Sequence, residues 1–96
     1  MKAIVSVIGK DKKGIIARVS GKLFEMDINI EDISQTILQD YFTMIMAVDM
    51  GDCKLSFEDA AQKLAELGEK TGVEIRIQSK QIFDAMHKIS LSSENI

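Results

Sequence analysis

The sequence predicts an α+β domain: a four-stranded antiparallel sheet, two helices on one of its faces, and a short helix after the last strand. Three observations carry that expectation. Four short stretches are apolar by alternation or throughout, two longer ones repeat apolar residues every three or four positions, and together they run in the order β-α-β-β-α-β. Right-handed crossovers then place both helices on the same side of the sheet. Ninety-six residues suffice for one such core but not for two.

Residues 2–9 are β-branched and apolar on both faces, as an inner strand covered from both sides would be. A polar turn, Gly9-Lys10-Asp11-Lys12-Lys13-Gly14, leads to Ile16, Val19, Leu23 and Met26, the stripe of an amphipathic helix that stops near Asp27. In residues 28–38 the apolar positions Ile28 and Ile30 change parity before Ile33 and Ile37. A bulge near Glu31-Asp32 reconciles them with one strand. After a turn at Gln39-Asp40, residues 41–50 set Phe42, Met44, Met46, Val48 and Met50 on one face and Thr43, Ile45, Ala47 and Asp49 on the other, a second inner strand.

Gly51-Asp52 interrupts the pattern, and Ser56-Phe57-Glu58-Asp59 has the form of a helix-opening capping box. Phe57, Ala60, Ala61, Leu64 and Leu67 share one helical face, with Gly72 as the left-handed stop. Val73, Ile75 and Ile77 alternate with Glu74, Arg76 and Gln78, which predicts an edge strand with one wet face. Ile82, Phe83, Met86 and Ile89 predict a short amphipathic helix, and residues 90–96 a frayed tail. The whole is a ferredoxin-like βαββαβ sandwich, with the domain over residues 1–79 and the C-terminal helix and tail over 80–96. Two inner strands apolar on both faces need a second cover, from the C-terminal helix, a second subunit, or both.

The composition is that of an ordinary globular protein, 46% hydrophobic and 28% charged, with no apolar run of membrane-spanning length and no secretory leader pattern. A single cysteine, Cys53, excludes an internal disulfide, and a reducing cytoplasm is expected. The net charge of −3 argues against phosphate-driven nucleic-acid binding. Its distribution is uneven. Residues 1–24 carry six basic side chains and one acid, and residues 25–52 carry seven acids and no base, either solvated faces or a binding or subunit surface.

Most chemistries fail on their residues. Gly9 and Gly14 have the spacing of a phosphate loop, but Ile15-Ile16 follow where Lys and Ser or Thr are required. One cysteine and one histidine, Cys53 and His87, cannot fill a tetrahedral metal site, so no metal or cofactor is expected. The first strand lacks the stacking aromatics of an RNA-reading sheet. Arg18 and Arg76 both lie outside the first loop, where acylphosphatase-type hydrolysis needs an arginine. Ser6, Ser20, Ser34 and Cys53 have no histidine nearby in sequence. Glu31-Asp32 and Glu58-Asp59 fit a bulge and a helix start, not an acid/base couple.

What remains is the junction over residues 9–16. Gly14 lets the backbone approach a ligand, and the amides of Gly14, Ile15 and Ile16 open a helix whose positive end suits a carboxylate or phosphate. Asp11 beside them can accept an ammonium, so that one loop holds both ends of an amino acid; otherwise Asp11 caps its own turn and Gly14 only supplies positive φ. Asn29, where the chain leaves the helix turn, can cap that turn or reach a ligand.

The stretch Gly9-Lys10-Asp11-Lys12-Lys13-Gly14-Ile15-Ile16-Ala17-Arg18-Val19, with Leu23 and Asn29-Ile30, resembles the signature of ACT domains, small regulatory modules that generally bind amino acids. Asp32-Ile33-Ser34-Gln35-Thr36 and Phe42-Thr43-Met44-Ile45-Met46 are similar to short stand-alone ACT proteins related to glycine cleavage repressor-like proteins. The resemblance implies a homodimer or higher homo-oligomer. Its effector would sit between Asp11, Gly14, Ile15 and Ile16 of one subunit and Asn29 and Ile30 of a neighbour. Asp27 and Ile28 stand where many relatives have a glycine near the asparagine. With no catalytic or DNA-binding domain in these residues, a signal must pass to a separate regulatory partner or through the oligomeric state. The expectation is therefore a non-enzymatic amino-acid sensor that contacts neither nucleic acid nor membrane. A protein-interaction adaptor without a ligand is the alternative, and a small hydrolase a third.

Overall fold

The computed structural model describes residues 1–10 and 13–86. Within them lie β1 (Lys2–Lys10), α1 (Ile15–Glu25), β2 (Asn29–Leu38), β3 (Tyr41–Asp49), α2 (Phe57–Thr71) and β4 (Glu74–Ser79), in the expected order. Asp11, His87, the expected helix residue Ile89 and the expected tail at 90–96 lie outside the described residues.

The sheet order is β2-β3-β1-β4, and every neighbouring pair is antiparallel. The two strands that are apolar on both faces, β1 and β3, are the inner ones. The half-wet β4 is an edge, with Ile75 and Ile77 buried and Glu74 and Arg76 exposed. The register between β2 and β3 runs Ile30↔Val48 and then Asp32↔Ala47, passing over Glu31. That bulge keeps Ile30, Ile33 and Ile37 opposite Val48, Met46 and Phe42, on the side that faces the helices.

The core fills the space between sheet and helices. Val5, Val7, Met44, Met46 and Val48 come from the inner strands, Val19 and Leu23 from α1, and Ala60 and Leu64 from α2. The α1 stripe begins one residue earlier than expected: Ile15 is buried, whereas Ile16 is exposed. Both isoleucines fit a helical repeat with Val19 and Leu23, so periodicity alone does not choose between them; the chain's entry through Gly14 sets the phase. The ends of α2 are as expected. Ser56 Oγ accepts from the Asp59 N–H at 3.1 Å, and Gly72 closes the helix at φ 75° with its N–H donating to the Gly68 carbonyl at 2.8 Å.

The other sheet face is only partly covered among the described residues. Ile4 is buried there, but Ile8 and Ile45 remain exposed. A helical segment follows β4 over residues 80–86, opened by the Ile82 N–H donating to Ser79 Oγ at 3.2 Å. Phe83 on it is half-buried, while Ile82 and Met86 face solvent.

Candidate ligand-binding site

Each end of α1 offers one wall of a site. At its start Gly14 is left-handed, φ 82° and ψ 0°, and forms the N-cap without any side-chain hydrogen bond. The Arg18 N–H donates to the Gly14 carbonyl at 2.9 Å, the first bond of the helical ladder, so the amides of Ile15, Ile16 and Ala17 precede it. Among the described residues, chain neighbours aside, no atom lies within 4 Å of a Cβ built on Gly14. The first turn carries no acid, and Lys10 and Lys13 are exposed nearby, so helix dipole and side chains both favour an anion. The Ile15 side chain lies in the core and only its backbone is offered to a ligand; Ile16 presents its side chain at the surface.

At the other end the chain turns through Asp27, at φ 56°. Met26, Asp27 and Ile28 donate their N–H groups to the carbonyls of Lys22, Leu23 and Phe24 at 2.9–3.2 Å. Aspartate is among the few residues that tolerate the left-handed region, so Asp27 adopts the shape a glycine would supply. Backbone donors close the turn, and the Asn29 carboxamide has no hydrogen-bond partner among the described residues. Asn29 lines a hollow of about 200 Å³ with Phe24, Asp27, Ile28 and Asp52. Phe24 and Asp52 were not legible as wall residues, although Ile16, Ser20 and Phe24 follow one another at helical spacing.

One chain does not bring the two walls together. The 11 residues of α1 span about 16 Å between them. Along that span run Ile16, Ser20 and Phe24, the last 82% exposed, on the flank of the buried stripe opposite Lys22, which lines a hollow with Lys63 of α2. Beyond this flank lies β2, whose outer edge has no strand partner among the described residues and whose helix-facing Ile33 and Ile37 are 40% and 60% exposed.

On the opposite sheet face, Lys2 Nζ lies 2.6 Å from Glu31 Oε2 and 3.2 Å from Asp49 Oδ2. Asp49 also accepts the Gly51 N–H at 2.8 Å. The Gly51 amide first, and then Lys2, hold the Asp49 carboxyl below its ordinary range, while hydrogen bonds to Glu31 and Asp49 raise the Lys2 ammonium. Among the described residues no three His, Cys, Asp or Glu side chains converge as a metal site. No helix of these residues is long and apolar enough to cross a membrane.

The ACT domain family model matches residues 2–78. The chain belongs to the ACT domain family. A UPF0237 protein of Clostridium acetobutylicum is 56% identical to it over 89 residues, 93% of this chain and all of the relative. An ACT domain protein from Streptococcus pneumoniae superposes with a TM-score of 0.78 at 49% identity, covering 88% of this chain and 94% of that one. The regulatory subunit of aspartate kinase from Thermus thermophilus has a TM-score of 0.62 at 26% identity, covering 80% of this chain and 50% of the subunit. These likenesses agree with the ferredoxin-like fold and with a family commonly used for small-molecule regulation.

Proposed function

We propose that this ACT domain is a non-enzymatic sensor that binds an amino acid between two copies of itself and signals to a separate regulatory partner in the cytoplasm. The separation of its two walls along α1 carries the proposal: they lie about 16 Å apart in one chain, and a second copy antiparallel beside the first would bring the Gly14 end of one to the Asn29 end of the other. The effector's carboxylate would rest on the amides at Gly14, Ile15 and Ile16, its ammonium on Asp11, and its side chain against Asn29 and Ile30 of the neighbour.

The surface between the walls supports a second copy as occupant. A ten-residue edge that is unpaired among the described residues, with exposed Ile33 and Ile37, invites strand pairing. The regulatory subunit among the structural neighbours supports a role in control rather than catalysis.

Calorimetry against the twenty amino acids, with sedimentation to give the oligomeric state, tests the proposal. Saturable binding to a dimer, lost in Gly14→Val, is expected. A folded dimer that binds none of them points to the adaptor, and binding retained in Gly14→Val removes the helix start from the site.

A further inference from the structure

The charges on the open sheet face form an arrangement that a solvated surface does not require. Lys2, Asp49 and Asn29 are successive register partners on β1, β3 and β2. Glu31, the residue that the register passes over, sends its carboxylate back to the Lys2 ammonium at 2.6 Å. With neighbouring strands about 4.8 Å apart, Lys2 reaches across the whole of β3 to hold the bulge of β2. Asp49 steadies the same ammonium from the middle strand, and Asp32 Oδ1 accepts the Ile33 N–H at 2.9 Å just past the bulge.

The position of a bulge has consequences along the strand. Were the extra residue absorbed further on, each side chain between the old and new positions would turn to the other face. Ile33 would leave the helix-facing side, and Asp32 would replace it beside the exposed row of α1.

We propose that Lys2 is a positioning residue: its ammonium, held between Glu31 and Asp49, braces the bulge that the Ile30–Ile33 parity sets at Glu31. It thereby orients Asn29, Ile30 and the Ile33–Ile37 edge for ligand and second copy. The consequence for ligand binding rests on the intersubunit sensor described above; the consequence for the strand does not.

The test uses the full chain at one concentration, with Lys2→Met, Lys2→Arg and Glu31→Gln, and follows amide hydrogen exchange by NMR at each residue of β2 and at Leu64 in α2. Lys2→Met is expected to speed exchange around Asn29–Ile33 about two- to fivefold, the range of an exposed ion-pair network, with Leu64 unchanged. Lys2→Arg restores the original rates, and Lys2→Met adds nothing to Glu31→Gln. Unchanged rates in β2, an equal rise at Leu64, or failure of arginine to rescue would overturn the proposal. Amino-acid affinity is measured on the same variants. If the unsubstituted chain binds no amino acid, the sensor fails by itself, and the exchange rates still decide the role of Lys2.

Discussion

Gly68 in α2 lies so close to the end of that helix's return that a Cβ built on it would stand 2.6 Å from the Val73 carbonyl oxygen. Because the obstructing atom is backbone, it cannot swing aside. Helical Gly→Ala changes usually stabilise by about 0.5–1 kcal/mol. Gly68→Ala is expected to do the reverse, costing about 1–3 kcal/mol through overpacking. Gly21, in α1 with no described residue outside its own helical turns within 4 Å of its Cβ position, supplies the contrast. Gly21→Ala should gain about 0.5–1 kcal/mol, and urea denaturation of the two variants gives opposite shifts.

At Gly14 the constraint is conformational, since no described residue beyond its chain neighbours crowds a Cβ there but φ is 82°. Gly14→Val is expected to lose about 1–2 kcal/mol, and Gly14→Asn much less because asparagine visits the left-handed region. If the helix start holds the effector, ligand binding weakens in the valine variant beyond what its stability loss explains. Calorimetry well below the unfolding transition separates the two effects.

The β2 edge is the expected contact between copies. Ile37→Glu puts a charge on an exposed strand position outside the main core, so the isolated fold should tolerate it within about 0.5 kcal/mol. The sedimentation coefficient should nevertheless fall to that of a monomer. A dimer unchanged by Ile37→Glu and by Phe24→Glu would move the interface to another surface.

The contribution of Lys2 to stability should depend on pH at both ends of the scale. Asp49 has a lowered pKa, so its share is present above the unfolded aspartate value of about 4 and disappears as pH falls through the folded value. Lys2 has a raised pKa, so its share is present below about 10.4 and disappears as pH rises through the folded value. The difference in denaturation midpoint between the unsubstituted chain and Lys2→Met is expected to be flat from about pH 5 to 9 and to shrink outside that window. A difference that grows in acid would contradict the Lys2–Asp49 assignment.

The sequence by itself determined the element order, the inner positions of β1 and β3, the bulge at Glu31, the Ser56 and Gly72 caps and the edge character of β4. All of these follow from side chains a few positions apart on the same segment, where periodicity and capping act. Tertiary structure alone decided that Ile15 rather than Ile16 enters the core, that the Asn29 carboxamide has no hydrogen-bond partner among the described residues, and that Lys2 reaches Glu31 across β3. It also decided that the described part of the C-terminal helix leaves Ile8 and Ile45 exposed. These depend on which strands become neighbours and how the chain enters each helix, relations between residues far apart in sequence that local pattern does not encode.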